Sequence, residues 1–324
     1  MMVTMTQLGG GGAGVLMEAS LQTSEAVVRP GRRRLPRSWF IGIGSIVLVT
    51  AIWGFSNIVM LRSEMVMSPV VMLWFRFSAG AVLFMPWVLR RRFLPRDLAL
   101  GIGTGFMLGI PVLWQTWSMY TISVDQVAFL TAMYVIFTPL GVALLRRRLP
   151  KPLVWVAAVA SVCGMALLLG RISLHLHIGV LWSLLAAAGL SAQIIGTTSL
   201  SKRMTSVEQA GLQSLGAGVS MSIIMLVQGL LHSSIYKGLF HWTGTEWAAM
   251  LFLAVVATVI AVFLQARGQA RVTATEAALA FNMEPVWTAV FAWLLLGEGL
   301  SAVQGLGALL IIASLSVVSV AEES

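Results

Sequence analysis

Two ionisable residues lie deep inside apolar stretches of this sequence, Glu284 in the ninth stretch and Arg76 in the second. Charged groups are costly inside a bilayer, so they usually pair, face water or serve a pathway for ions or substrates. Glu284 lies about nine residues into its stretch, or ~13 Å at a rise of 1.5 Å per residue, which is close to mid-membrane. A carboxyl group at that depth can bind a substrate amine or take up a proton. Alternatively, it is a structural group that is hydrogen-bonded to a neighbouring helix beside Pro285.

Arg76 lies about seven residues into the second stretch, which is ~10 Å below the nearer membrane surface at the same rise per residue. A guanidinium group there can anchor an anionic group of a ligand or pair with Glu284. The alternative is that Arg76 extends to the headgroups, since side chains on a helix lean toward its N-terminal end.

Uncharged polar residues in the apolar stretches extend this candidate binding site. Gln115 and Gln265 are 150 positions apart, at opposite membrane faces. They line two mouths of one cavity or simply bond to neighbouring backbones. Asn282 lies within one helical turn of Glu284, so its side chain can reach the same region. The other candidates, on the first, fourth and sixth stretches, are Trp53, Asn57, Thr131, Tyr134 and Gln193. For the two aromatic residues, packing is the alternative to ligand contact.

Ten apolar stretches must position these residues, in a chain that is 58% hydrophobic and only 10% charged. A bilayer core of about 30 Å needs roughly 20 apolar residues per helix. The sequence therefore predicts an all-α polytopic membrane protein with ten transmembrane helices. The predicted spans lie near 40–61, 69–89, 98–119, 125–145, 152–170, 178–199, 207–231, 247–266, 275–297 and 301–320.

The basic residues follow a topological pattern, although a net charge of +9 could also suggest nucleic-acid binding. The N-terminal segment and the even-numbered connections hold 17 of the 21 Lys and Arg residues, whereas the odd-numbered connections hold only Arg62, Arg171 and Lys237. Basic connections stay in the cytoplasm. We therefore expect a multi-pass protein of the plasma (inner) membrane with both termini cytoplasmic, and we exclude a nucleic-acid partner.

A weak internal repeat divides the ten stretches into two sets of five. Asp125 and Glu276 are 151 positions apart, and the same shift superposes Leu144 on Leu295. Because five is odd, the second copy must enter the bilayer inverted, which is the architecture of many secondary transporters. We interpret Asp125 and Glu276 as residues that open helices, where a carboxylate is favoured by the helix dipole. The same shift places Glu284 opposite Met133.

The segment from Thr258 to Ser301 resembles the most diagnostic part of the EamA family of drug/metabolite transporters. The elements that carry the resemblance are Thr258 with Ala261, the pair Glu284-Pro285, and Leu296-Gly297-Glu298. Segment Leu113–Leu140 resembles the matching segment of one branch of the family, and Ala51–Asn57 resembles the Trp-Gly element of the family's first span. The resemblance implies a ten-span permease with EamA-like repeats at 39–171 and 177–320.

The first copy departs from that pattern. It has Arg147 where the second copy has Glu298, and Met133-Tyr134 where the second copy has Glu284-Pro285. We therefore expect an asymmetric pathway. Residues 1–38 are expected to form a disordered cytoplasmic tail, and Met17 is an alternative start.

The resemblance implies a secondary-active transporter of small metabolites that works by alternating access. Family substrates include amino acids and related metabolites, so the expected activity is export of amino acids or amphipathic compounds, driven by a proton or substrate gradient. The partners are then a small-molecule substrate and the lipid bilayer, with no cofactor or metal; the oligomeric state stays open. An enzyme is not expected, because the spans offer one carboxyl group and no histidine for acid–base or nucleophilic chemistry. A membrane receptor or assembly subunit without transport is the alternative.

Overall fold

The computed structural model describes residues 37–64, 68–170, 177–232, 240–297 and 299–323. Most of the predicted N-terminal tail and Glu298 lie outside these ranges. Within them, ten helical segments are long and apolar enough to cross a membrane, which confirms the predicted spans. No strand occurs among the described residues. The unbroken spans one, two, three, five, six, seven and ten are Arg37–Glu64, Pro69–Leu89, Pro95–Ser118, Pro152–Leu169, Ile178–Leu200, Ser206–Leu231 and Ala302–Glu323.

The other three spans depart from a continuous α-helix. Span four consists of Val124–Thr131 and Tyr134–Arg146, and span nine of Ala274–Phe281 and Glu284–Leu296. Span eight runs as an α-helix over Gly244–Leu251, a π-helix over Phe252–Ile260 and an α-helix over Ala261–Gln269.

Short sequence signals fix where most spans begin. Spans two, three and five start at a proline, whose missing N–H is not needed in the first helical turn. Five other spans start with a capping box, in which a Ser or Thr hydroxyl and a Glu or Gln side chain satisfy reciprocal backbone N–H groups. Those pairs are Ser123 with Gln126, Thr205 with Glu208, Thr243 with Glu246, Thr273 with Glu276, and Ser301 with Gln304.

The breaks in spans four and nine correct the predicted register of the repeat. The two capping boxes, the two breaks and the two left-handed C-caps, Arg147 and Gly297, are each 150 positions apart, not 151. Asp125 and Glu276 do lie in the first turns of their helices, as predicted. Glu276, however, corresponds to Gln126, because the third capping position is equivalent whether its side chain is charged or an amide. In this register, Glu284 lies opposite Tyr134.

Helix contacts show the pseudo-symmetry of the two copies directly. Contacts of span three with spans six and seven are mirrored by contacts of span eight with spans one and two. The contact between spans four and six is likewise mirrored by that between spans nine and one. Spans two and seven, and spans five and ten, pair across the axis. The arrangement is that of two inverted five-helix repeats.

Glycines allow the closest helix crossings, as is typical of small residues in membrane helices. A Cβ on Gly105 would lie 2.2 Å from Gln213 O, and one on Gly216 would lie 2.1 Å from Ile102 O. These contacts join spans three and seven of one chain. The glycines of span three at Gly101, Gly105 and Gly109 therefore pack within the molecule.

Candidate functional site

A cavity of about 110 Å³ lies between the break in span nine and the end of span three. It receives side chains from spans one, two, three, six, eight and nine. Five of the predicted site residues line it, namely Trp53, Asn57, Arg76, Gln115 and Glu284. The hydropathy pattern thus located both charged groups of the cavity.

Glu284 is the first residue of the second half of span nine. That position suits a carboxylate, which the helix dipole stabilises at an N-terminus. Its Oε1 accepts a hydrogen bond from Asn57 Nδ2 of span one at 3.0 Å. Asn57 Nδ2 also lies 3.3 Å from Thr288 Oγ1, one turn further along span nine. The partner of Glu284 therefore comes from span one.

A close approach between spans one and nine makes this hydrogen bond possible. A Cβ on Gly54 would lie 2.9 Å from Thr288 N and 3.1 Å from Glu284 O, so only glycine fits against that backbone. Asn57 lies three residues after Gly54, on the same helix face. Gly54, the glycine of the Trp-Gly element, thus allows the backbone of span nine to lie close to span one.

Arg76 is held inside the bundle and is only 6% exposed. Its Nε donates to Thr258 Oγ1 of span eight at 3.3 Å, and its Nη1 lies 3.1 Å from Met60 Sδ. The guanidinium carbon also lies 5.9 Å from the centre of the Phe77 ring. The predicted alternative in which Arg76 reaches the headgroups does not fit these contacts, because its donors are directed to groups inside the protein.

Trp53 forms an aromatic wall of the cavity. Its Nε1 donates to Ala257 O at 3.1 Å, and its ring stacks on Phe281 with centroids 5.7 Å apart. Both contacts cross between spans, so the indole is fixed on two sides. The cavity therefore combines a carboxyl group, a guanidinium group and a rigid aromatic face.

Gln265 and Gln193 lie elsewhere, in a closed ring of side-chain hydrogen bonds. Gln265 Nε2 donates to Gln193 Oε1 at 3.2 Å, and Gln193 Nε2 donates to Thr197 Oγ1 at 3.1 Å. Thr197 Oγ1 donates to Gln213 Oε1 at 3.2 Å, and Gln213 Nε2 returns to Gln265 Oε1 at 3.3 Å. All four residues are at most 1% exposed. Neither predicted role for Gln265, lining a mouth or bonding to backbone, is correct, since its amide is paired with other side chains.

Asn282, Thr131 and Tyr134 do not reach the cavity. Asn282 is fully buried and donates from Nδ2 to Ser161 Oγ of span five at 2.8 Å. It points away from Glu284 because residues two apart do not share a helix face. Thr131 and Tyr134 are 4% and 9% exposed and pack in the interior. The position of Asn282 close to Glu284 in the sequence therefore did not predict the direction of its side chain.

The sequence reasoning missed several residues that line the cavity. Helical spacing could have found them, because positions three and four apart lie on one face. Counting from Trp53 and Asn57 reaches Met60, and counting in both directions from Gln115 reaches Val112 and Met119. The lining residues that were not predicted are Ser56, Met60, Phe77, Leu108, Val112, Thr116, Met119, Leu190, Ala257 and Val262.

A second, larger depression of about 430 Å³ lies where span three ends and span six begins. This end of the two spans is remote from the ring formed by Gln193, Thr197, Gln213 and Gln265. The depression is lined by Met119 to Ser123, Gln126 and His177. Met119 lines both this depression and the central cavity. Its side chain therefore lies between the cavity and that end of the molecule.

Comparisons with known proteins agree with this architecture. A model described as the EamA-like transporter family matches residues 40–170 and again residues 177–320. One solved structure, described as "Crystal structure of protein", superposes with a TM-score of 0.68 over 88% of this chain and 98% of that one, at 17% identity. That likeness concerns the fold. No curated protein matches the chain. Among the described residues, no group of three or more His, Cys, Asp or Glu could hold a metal ion.

Proposed function

The chain belongs to the EamA-like transporter family, and we propose that it carries small zwitterionic metabolites, amino acids above all, by alternating access. One observation carries this proposal: Glu284 and Arg76 line the same cavity. A guanidinium group is suited to a carboxylate. A carboxylate such as that of Glu284 is suited to an ammonium group.

A zwitterion balances both charges of the cavity at once. A single charged ligand would leave one of the two protein groups without a counter-charge in the bound state, and breaking a buried charge pair is strongly unfavourable. A zwitterion contributes a carboxylate and an ammonium group, so no excess charge is buried. This argument favours amino acids over simple amines or acids.

The size of the cavity supports small substrates. Cavities that enclose drug-sized ligands measure roughly 300–1,000 Å³, whereas this one measures about 110 Å³. Between the two expected classes, amino acids therefore fit better than large amphipathic compounds.

We further propose that the two repeats rock about this cavity, that Glu284 couples transport to protons, and that the direction is export. Discontinuous helices beside a central site are typical of transporters built from inverted repeats. We also propose that the protein lies in the plasma (inner) membrane with both termini in the cytoplasm, because basic connections stay on the cytoplasmic side.

Counterflow in proteoliposomes tests the substrate class. Liposomes loaded with unlabelled amino acids should accumulate radiolabelled L-alanine, and external L-alanine should compete at least about tenfold better than ethylamine or propionate, each of which lacks one charge. Arg76→Gln should abolish this preference over ethylamine. Absence of exchange for every amino acid would overturn the proposal and favour a receptor or assembly subunit.

Glu284→Gln tests proton coupling separately. The variant should still be able to exchange substrate in counterflow, at reduced affinity, but should lose net transport driven by a pH gradient. Transport by Glu284→Gln with an unchanged pH dependence would eliminate Glu284 as the coupling group.

A further inference from the structure

Span eight contains a π-helical stretch where it passes the cavity. In an α-helix, the N–H of Ala261 would bond to Ala257 O; here it bonds to Val256 O and Thr258 O. Thr258 Oγ1 likewise donates to Leu253 O, five residues earlier, at 2.8 Å. Such wider turns are rare and occur frequently at functional sites. The stretch covers Phe252–Ile260.

Two side chains that line the cavity, Trp53 and Arg76, donate hydrogen bonds to this π-helical stretch. Trp53 Nε1 donates to Ala257 O, the carbonyl group that the Ala261 amide does not use. Arg76 Nε donates to the hydroxyl oxygen of Thr258, whose own proton goes to Leu253 O. Thr258 is 1% exposed, so its hydroxyl group acts only inside the protein.

The hydrogen bond between Arg76 and Thr258 depends on the wider turns of the π-helix. With 3.6 residues per turn, each residue of an α-helix turns by about 100°. Removing the one extra residue of the wider turn would therefore rotate Thr258 by about that angle relative to the following turns. The Thr258 hydroxyl group would then point away from Arg76 Nε, and the hydrogen bond between them would be lost.

We propose that Thr258, presented by this π-helical stretch, is a positioning residue that aims Arg76 at the anionic group of the ligand and so sets the preference for zwitterions over amines. Thr258 acts through Arg76 and does not itself contact the ligand. This inference rests on the proposed function, since it assigns the origin of the selectivity of the same cavity.

A matched pair of substitutions separates the hydroxyl group from the shape of the side chain. Thr258→Val keeps the branched shape and removes the hydroxyl group, whereas Thr258→Ser keeps the hydroxyl group. In counterflow of radiolabelled L-alanine, Thr258→Val should weaken competition by L-alanine about tenfold and leave competition by ethylamine unchanged. Thr258→Ser should retain the preference for L-alanine over ethylamine. Thr104→Val is the control, because the Thr104 hydroxyl bonds only within span three, to Gly101 O at 2.7 Å.

The outcomes distinguish this inference from the proposed function. If Arg76→Gln abolishes the preference for L-alanine and Thr258→Val keeps it, the inference is wrong and the proposed function stands. If neither substitution changes the preference, Arg76 does not select the ligand and the proposed function fails. If Thr258→Val does not yield folded protein, Thr258→Ala removes the same hydroxyl group from a smaller side chain and carries the same expectation. A parallel loss of L-alanine and ethylamine competition would assign Thr258 a structural role only and overturn the inference.

Discussion

Each charged group of the cavity is held by a neutral partner from another span. Glu284 accepts from Asn57 of span one, and Arg76 donates to Thr258 of span eight. Hydropathy alone indicated the two charged residues, because a charge in an apolar run is conspicuous. Asn57 was also a candidate from its polarity, but neither its pairing with Glu284 nor that of Thr258 with Arg76 could be predicted, because each depends on a contact between helices.

Asn57→Ala removes the hydrogen bond to Glu284. A hydrogen bond to a charged group contributes about 1.5–3 kcal/mol, so we expect the affinity for L-alanine to fall about tenfold or more. The measurement is competition in counterflow. Ser45→Ala in the same span is the control, because the Ser45 hydroxyl bonds to Ile41 O of its own helix at 2.7 Å. An unchanged affinity in Asn57→Ala would show that Glu284 is positioned without Asn57.

At the scale of single helices, close contact between spans one and nine forms the site. Gly54 permits that contact, and the break in span nine places Glu284 at the start of a half-helix. The matching break in span four has Val135 where span nine has Pro285, so proline is not required for the break. Asp125 and Glu276 predicted the starts of spans four and nine, whereas the breaks had no sequence signal common to both copies.

Gly54→Ala should separate spans one and nine. The new methyl group would lie 2.9 Å from backbone and side-chain atoms of span nine, and such overpacking typically costs about 1–3 kcal/mol. We expect a lower melting temperature in detergent and weaker L-alanine binding.

Gly44→Ala is the matched control in the same helix, because a Cβ at Gly44 meets nothing within 4 Å. Its melting temperature should be unchanged or slightly higher, since alanine favours helix over glycine. Equal melting temperatures for the two variants would contradict the close approach at Gly54.

At the scale of the whole molecule, the two copies are related in their packing but not in their chemistry. The mirrored helix contacts make the framework nearly symmetric. The ionisable Glu284 has Tyr134 as its counterpart, and the ring of Gln193, Thr197, Gln213 and Gln265 involves only second-copy spans. A symmetric framework with asymmetric side chains supports a single pathway between the copies.

The orientation in the membrane can be checked by labelling single cysteines in a Cys163→Ala background. Gly244 is exposed at the start of span eight, and Arg148 is exposed after span four. A membrane-impermeant maleimide should label Gly244→Cys in intact cells, because the basic connections stay in the cytoplasm. Arg148→Cys should react only after permeabilisation, and the reverse pattern would invert the proposed topology.

The sequence by itself determined the ten spans, the five-plus-five division and the presence of two charged groups inside apolar spans. These properties depend on composition and charge along short segments, which can be summed without knowing any contact. The tertiary structure alone decided which polar groups meet. In the structure, Gln265 and Gln193 belong to a separate ring of hydrogen bonds, and Asn282 donates to Ser161. The offset between the two copies is 150 positions, not the predicted 151. The physical reason is that the direction of a side chain depends on helix rotation and on partners distant in sequence, which local patterns do not specify.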